Sequence, residues 1–384
     1  MRLLVFAAAA VSLCQASQKF LESDLQQQFI SFLAKYGKVY TSKSDHATRF
    51  SIFKQNLEYI SKHNEKALGY SLGVNRYSDL TTDEFMSLYS ANTAESNLFL
   101  KSSINSPTAR LPNNPHQRYE DPTIQTSHKD YDYNDYTYID GLRSCKAIDW
   151  RLNGKVTPIK TQSPLCVGSS WAFSVAATLE SLNAIQSDAT SHFDAIPSFS
   201  VQQILDCDFG PNMGCVGGRR EHAFKYVQDN GIAFEGNYPL VSDDYGKLDC
   251  KYDATTENAF QITSFKAYER VTTTDLETLV CQGPVSISLR INDCIKNYHS
   301  GIIFDGPGSD CGCSDIPSTN HAAVIVGFGS DRTVRSGCRQ FWVVKNSWGA
   351  DWGEEGYLRL CKEDGMSLSL GTCNLKSEVM IPII

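Results

Sequence analysis

Long apolar runs are nearly missing from this chain: past the N-terminus, no stretch of about eighteen uninterrupted apolar residues occurs, which excludes a membrane-spanning helix there. Positive charge is scarce as well. The net charge is −8, and no Lys/Arg run is long enough to follow a phosphate backbone, so nucleic acid is not an expected partner. The sequon Asn-x-Ser/Thr is absent, and N-glycans are not expected. No internal repeat is visible. What remains is an acidic chain of 384 residues with 41% hydrophobic content, enough for one or two ordinary cores.

Cysteine, in contrast, is plentiful, with thirteen in all. Met1-Arg2, an apolar run from Leu3 to Leu13 and the small residues Ala16 and Ser17 have the layout of a cleavable secretory signal, expected over residues 1–16. Cleavage there removes Cys14 and leaves twelve cysteines, an even number suited to a disulfide framework in an oxidising lumen. The expected location is the secretory pathway, ending outside the cell or in a lysosomal or vacuolar lumen. No membrane partner is expected.

Residues 24–90 read as a small helical unit. Phe50, Phe53, Leu57 and Ile60 recur at helical spacing between charged residues, after a shorter helix carrying Phe29, Phe32, Leu33 and Tyr36. Thr81-x-x-Glu84 has the form of a capping box and starts a third helix. Residues 91–143 change character: Pro107, Pro112, Pro115 and Pro122 precede an Asp/Tyr run from Asp130 to Asp140. Such a stretch has too little apolar surface to offset its ordering entropy, so an exposed, protease-sensitive linker is expected.

Residues 144–384 form the remaining unit. Ser169 to Gln186 is apolar almost all round and predicts a helix inside a domain. Val285 to Ile291 alternates apolar residues with Ser286, Ser288 and Arg290, and Ala322–Phe328, Phe341–Lys345 and Tyr357–Cys361 are short apolar runs, all read as strands. Helices first and a sheet later give an α+β fold of two lobes with a cleft between them.

The most specific signals lie in this last unit. Asp149-Trp150-Arg151, Val156-Thr157-Pro158-Ile159-Lys160-Thr161-Gln162 and Cys166-Val167-Gly168-Ser169-Ser170-Trp171-Ala172-Phe173-Ser174 are followed by Gly214-Cys215-Val216-Gly217-Gly218, Asn320-His321-Ala322 and Lys345-Asn346-Ser347-Trp348-Gly349. This ordered series resembles the papain family of cysteine proteases, of the cathepsin L-like kind. Arg49, Phe53, Asn56, Ile60 and Asn64, with Gly73-Val74-Asn75-Arg76-Tyr77-Ser78-Asp79, resemble the family's inhibitory propeptide. The resemblance implies a papain-like two-lobed fold, a helical lobe beside a β-sheet or barrel lobe, behind an N-terminal all-helical propeptide. It also implies acyl transfer by a Cys-His-Asn arrangement, in which a thiol at a helix N-terminus is activated by a histidine.

By that resemblance His321 is the base, Asn346 orients its ring, Trp348 covers the pair, and Gln162 donates to the oxyanion with the backbone N–H at the nucleophile. The nucleophile position itself holds Ser170. A hydroxyl is far too weak an acid to form the ion pair that a thiol forms near neutral pH, and it depends on concerted proton removal by neutral His321. The spacing from Gln162 to Ser170 is also two residues longer than the family pattern, with Pro164 and Val167 in the insert.

Gly217 and Gly218 let an extended peptide approach. Arg219 and Arg220 follow, and Glu378 falls where the family places the floor of its main specificity pocket, which receives the second residue before the scissile bond. A charged pocket is expected, in which Arg220 and Glu378 pair with each other or select a polar side chain. The resemblance pairs Cys166 with Cys215, Cys207 with Cys250, and Cys373 with Cys311 or Cys313. Cys338 and Cys361 would meet if their strands form a hairpin, while Cys145, Cys281 and Cys294 stay unassigned. No cofactor and no metal are implied; Cys311-Gly312-Cys313 lacks a second ligand pair at zinc spacing.

Three functional readings follow: a catalytically impaired homologue that still binds peptides in its cleft, an active Ser-His-Asn hydrolase cutting peptides or esters, and an inhibitor of related proteases acting through the propeptide. The partners expected are peptide or protein ligands, the chain's own propeptide and other proteases, bound by a monomer.

Overall fold

The computed structural model describes residues 22–89 and 144–384, apart from 164, 167, 188–195, 209–211, 242–248, 254–258, 307, 332, 334–337 and 363–368. The expected signal over residues 1–16, the linker at 91–143, and Pro164 and Val167 of the insert lie outside the described residues.

The N-terminal unit consists of α1 (Glu22–Tyr36), α2 (Lys43–Asn64), a short strand β1 (Tyr70–Leu72) and α3 (Thr82–Tyr89). Ser42 starts α2 by accepting the Asp45 N–H, so an orphan donor of the first turn is satisfied. The apolar stripes of α1 and α2 meet in a cluster of Phe29, Phe32, Phe53 and Leu57. At α3 the capping box is complete: Glu84 N donates to Thr81 Oγ1 at 3.1 Å and Thr81 N to Glu84 Oε2 at 2.9 Å. That carboxylate also receives Arg49 Nη1 at 2.8 Å, which ties α3 to α2.

In the following unit, α4 (Ser170–Gln186) runs through one lobe, packed by α5 (Val201–Cys207) and α6 (Arg220–Asn230). Its Trp171, Phe173, Val175 and Leu179 are buried on different sides of the helix, as its all-round apolar sequence requires. The other lobe is a sheet. Its strands are β2 (Ile148–Asp149), β3 (Ser264–Glu269), β4 (Val285–Leu289), β5 (Tyr298–Ile303), β6 (His321–Ser330), β7 (Gln340–Lys345), β8 (Tyr357–Cys361) and β9 (Glu378–Ile383). Helices α7 (Thr273–Val280) and α8 (Asp293–Lys296) lie between β3 and β5 in sequence. The spatial order is β1-β5-β8-β7-β6-β4-β9-β3, with β2 on β6, so the prosegment-like unit contributes the first strand.

The alternation in β4 does not separate core from water: all five of its residues are buried. Its serines face the other lobe, where Ser286 Oγ lies 2.7 Å from Ser174 Oγ of α4, and Ser174 donates to the Ala323 carbonyl. Six disulfides staple the lobes: Cys145–Cys281, Cys166–Cys215, Cys207–Cys250, Cys294–Cys311, Cys313–Cys373 and Cys338–Cys361. Cys338–Cys361 crosses the β7–β8 hairpin, and Cys313, not Cys311, takes Cys373.

Candidate active site

Two lobe elements meet at the cleft. Ser170 opens α4, where unpaired backbone N–H groups and the helix dipole favour negative charge. His321 opens β6 and Asn346 follows β7, so antiparallel pairing of these strands sets the two side chains beside each other. His321 Nε2 lies 2.9 Å from Asn346 Oδ1. That oxygen also accepts the Ser347 N–H at 2.8 Å, which fixes the amide as an acceptor, so Nε2 carries the ring proton and Nδ1 the free lone pair. Among the described residues, Nδ1 has no hydrogen-bond partner. Burial pushes the imidazole down to about 4 against the opposing effect of the Asn346 bond, so the ring is neutral at neutral pH.

The Ser170 hydroxyl is fully buried and accepts the Ala322 N–H at 3.3 Å. Gln162 is buried next to it: its Nε2 reaches Ser169 Oγ at 3.4 Å, its Oε1 accepts from Ser347 Oγ at 2.7 Å, and its N–H bonds the Ser347 carbonyl. Ser170, His321, Asn346 and Gln162 are therefore gathered at one point, with the Gln162 amide directed at the residue before Ser170.

Trp348 stands apart from the pocket residues. Its ring centroid is 4.9 Å from that of His321, and the indole is fully buried, with Phe85, Tyr89 and Tyr77 of the N-terminal unit packed around it at 5.2, 5.6 and 5.9 Å. A second contact had no signal in the motif reading. Lys296, fully buried at the end of α8, donates to Asn56 Oδ1 and to the Leu80 carbonyl, both at 3.1 Å, and pairs with Asp293 at 2.9 Å.

Beside His321 opens a pocket of about 340 Å³, lined in part by Trp171, Gly218, Arg219, Arg220, Ser288 and Glu378. Gly218 is required sterically: a Cβ there would meet Trp171 at 2.5 Å and Asn212 Oδ1 at 2.8 Å. Gly217 precedes it, its carbonyl held by Met213 N–H at 2.9 Å. Arg220 is buried and bridges the lobes, with Nη1 donating to Ser286 Oγ and Nη2 to Ser288 Oγ and Glu378 Oε2 at 2.9, 2.7 and 2.7 Å. Arg219 extends towards solvent and pairs with Glu221 at 2.9 Å.

Behind the site lies a buried charge cluster that the motif reading passed over. Glu180 of α4 takes Lys160 at 2.9 Å, the Phe199 N–H and the Thr157 hydroxyl; Lys345, the residue before Asn346, donates twice to Thr157 at 2.8 Å. Burial pulls the Lys345 ammonium down to about 8, with Glu180 opposing that shift. The available signal was a lone carboxylate inside an otherwise apolar helix.

Residues 144–383 match the papain family cysteine protease domain, and residues 29–85 the cathepsin propeptide inhibitor domain (I29). Germination-specific cysteine protease 1 of Arabidopsis thaliana is 31% identical over 374 residues, covering 94% of this chain and 85% of that protein. Ananain of Ananas comosus is 31% identical over 94% of this chain and 88% of its own length. Among solved structures, a recombinant stem bromelain precursor aligns with TM-score 0.69 and 28% identity, covering 94% of this chain and 99% of that one. Digestive procathepsin L 3 of Tenebrio molitor larval midgut aligns with TM-score 0.69 and 26% identity, over 94% and 99%.

Proposed function

The chain belongs to the papain family of cysteine proteases and carries that family's propeptide, and from this premise we propose that it is a zymogen whose cleft binds peptides but cuts them poorly, because Ser170 occupies the nucleophile position. One observation carries the reading. The Ser170 oxygen takes its hydrogen bond from the Ala322 backbone, while the basic Nδ1 of His321 has no partner among the described residues. A thiol at a helix N-terminus ionises readily; a hydroxyl there keeps its proton unless the imidazole removes it during attack. Loss of an effective nucleophile costs up to about a million-fold in rate, roughly 8 kcal/mol of barrier.

Gly217 and Gly218 would pair with an extended peptide, Arg219, Arg220 and Glu378 would shape its specificity pocket, and Gln162 would serve the oxyanion as far as its contact with Ser169 allows. Residues 24–90 would act as the inhibitory prosegment, residues 91–143 as the linker cut between about Ser103 and Cys145, and 144–384 as the peptidase domain. The secretory pathway, with a lysosomal, vacuolar or extracellular end point, fits the expected signal and the six disulfides.

A specific observation favours a second reading, an active Ser-His-Asn hydrolase: the 2.9 Å bond from His321 to Asn346 is kept intact beside a buried Trp348. Hydrolysis of fluorogenic peptides and esters by the processed protein between pH 4 and 8, alongside Ser170→Cys and His321→Ala, decides between them. Silence of the native protein with gain of activity in Ser170→Cys supports the binding role. Native activity that His321→Ala abolishes overturns it.

A further inference from the structure

We propose that the Cys294–Cys311 disulfide is a redox latch for the prosegment: a dithiol that opens this bond loosens residues 22–89 from the peptidase unit. The inference rests on the reading of that N-terminal unit as an inhibitory prosegment and names what regulates its docking.

The bond joins two short stretches of the peptidase unit that both hold the prosegment. At one end, Cys294 stands between Asp293 and Lys296 in α8. Asp293 accepts the Thr82 hydroxyl at the start of α3, while Lys296 donates to Asn56 Oδ1 and the Leu80 carbonyl. At the other end, Cys311 follows Asp310, which pairs with Lys66 and faces His63 Nδ1 at 3.8 Å. Tyr70 of β1 sits between the two: its hydroxyl is 4.0 Å from Cys294 Sγ and interacts with Ser309 and the Asp310 backbone. While the bond is closed, both halves of this platform are held together, with 5.2 Å between the Cα atoms of Cys294 and Cys311. Once it opens, Asn292 Nδ2 on the Cys311 carbonyl, at 2.6 Å, is a tie that remains. The prosegment must then order α8 and the loop before Cys311 each time it docks, and that ordering weakens its binding.

The latch can open without unfolding the domain. Its ends are 17 residues apart, the shortest span of the six disulfides, and a short loop constrains the unfolded chain least. Cys313–Cys373, two residues further on, still pins the loop. Cys294 and Cys311 are buried and Tyr70 covers Cys294, so a reductant reaches the bond when the docked unit opens locally. By linkage, opening of the bond and release of the prosegment favour each other. In the exchange, a thiolate of the dithiol attacks Cys311 Sγ, and Cys294 leaves as a thiolate that takes up a proton. The second thiol then attacks the reagent's own sulfur in the mixed disulfide, which closes the reagent's disulfide and frees Cys311 as a thiol. Two electrons and two protons pass from the dithiol to the protein.

The test reads binding, so turnover at Ser170 does not enter. The full chain is cut within residues 90–143 by an added protease with both pieces kept, then incubated with graded dithiothreitol. Alkylation and mass spectrometry report which cysteines are reduced, and dilution followed by size-exclusion chromatography reports the affinity of the prosegment piece. Cys294 and Cys311 are expected to be reduced before the other disulfide cysteines, with prosegment affinity falling about tenfold at that point. The double variant Cys294→Ser with Cys311→Ser should show the weakened affinity without reductant and no further response to mild dithiothreitol. The partly reduced wild type gives the same reading even where the double variant fails to fold. Unchanged affinity once the bond is open overturns the proposal while the prosegment reading stands, and so does a bond that opens only when the whole protein unfolds. If the prosegment leaves the cut protein with the bond intact, both fail together.

Discussion

The ammonium of Lys296, in the peptidase domain, lies 3.1 Å from Oδ1 of Asn56 in the prosegment helix α2, and it is fully buried there. The same ammonium bonds the Leu80 carbonyl, so a cation of one unit is solvated by polar groups of the other. Removing it leaves the half-buried Asn56 Oδ1 without its cationic donor, while the Leu80 carbonyl keeps Asn56 Nδ2 at 3.0 Å, a cost of about 1–3 kcal/mol. Lys296→Ala is expected to loosen the prosegment by roughly ten- to a hundredfold, read as faster proteolysis of residues 70–89 in the uncut chain. Proteolysis at the wild-type rate would show that the contact is neutral.

Acid should loosen the same interface. His63 of α2 is buried against Tyr70, whose ring centroid is 4.5 Å away, and faces Asp310 at 3.8 Å with Lys66 nearby; both ring nitrogens lack hydrogen bonds among the described residues. Burial depresses its basicity below the ordinary 6.5, the Tyr70 backbone and then Asp310 only partly opposing. A released His63 takes up a proton more readily than a docked one, so docking is fully favoured above pH 6.5 and weakens as pH falls below it. Prosegment release measured against pH should rise below 6.5, and His63→Gln should flatten the lower part of that curve.

Glu180 is the carboxylate on which the charge cluster behind the site depends. Glu180→Gln takes the counter-charge from fully buried Lys345, while Lys160 keeps Glu235 at 2.5 Å, and urea unfolding should report a loss of about 3–5 kcal/mol. Equal stability in the two proteins would mean that water reaches the lysines.

Asn346 should matter only where His321 does. In a Ser170→Cys background, Asn346→Ala is expected to lower kcat/KM by roughly ten- to a hundredfold with the fold intact, since the ring loses its orienting bond and one tautomer is no longer favoured. An unchanged pH–rate profile would argue that Trp348 packing alone orients the imidazole.

Much of this architecture was legible in the residues because local and global signals agree. The stripe Phe50, Phe53, Leu57, the capping box at Thr81 and Glu84, and the all-apolar helix after Ser169 each depend on neighbours a few positions away. What could not be read depends on pairs distant in sequence. Nothing near Lys296 announces Asn56, 240 residues earlier, and the partners of Cys294 and Cys145 follow from which loops the lobes bring together. The serines of β4 belong to the same class: alternation normally marks a wet face, yet here the polar face meets Ser174 and Arg220 of the opposite lobe. Arg220 and Glu378 were paired as one of two expectations, and only the tertiary fold shows that their ion pair coexists with an open cavity.

Finally, the first strand of the sheet is on loan. β1 belongs to the prosegment and zips onto β5 through Tyr70 opposite Gly301 and Ser71 opposite Ser300. Excision of the prosegment makes β5 the border of the sheet and frees the Ile302 N–H from the Gly69 carbonyl, while the Gly301 amide and carbonyl keep Glu354 and Tyr298. Maturation therefore does more than unblock a cleft: it creates a sticky seam that must be hydrated or claimed by another extended chain.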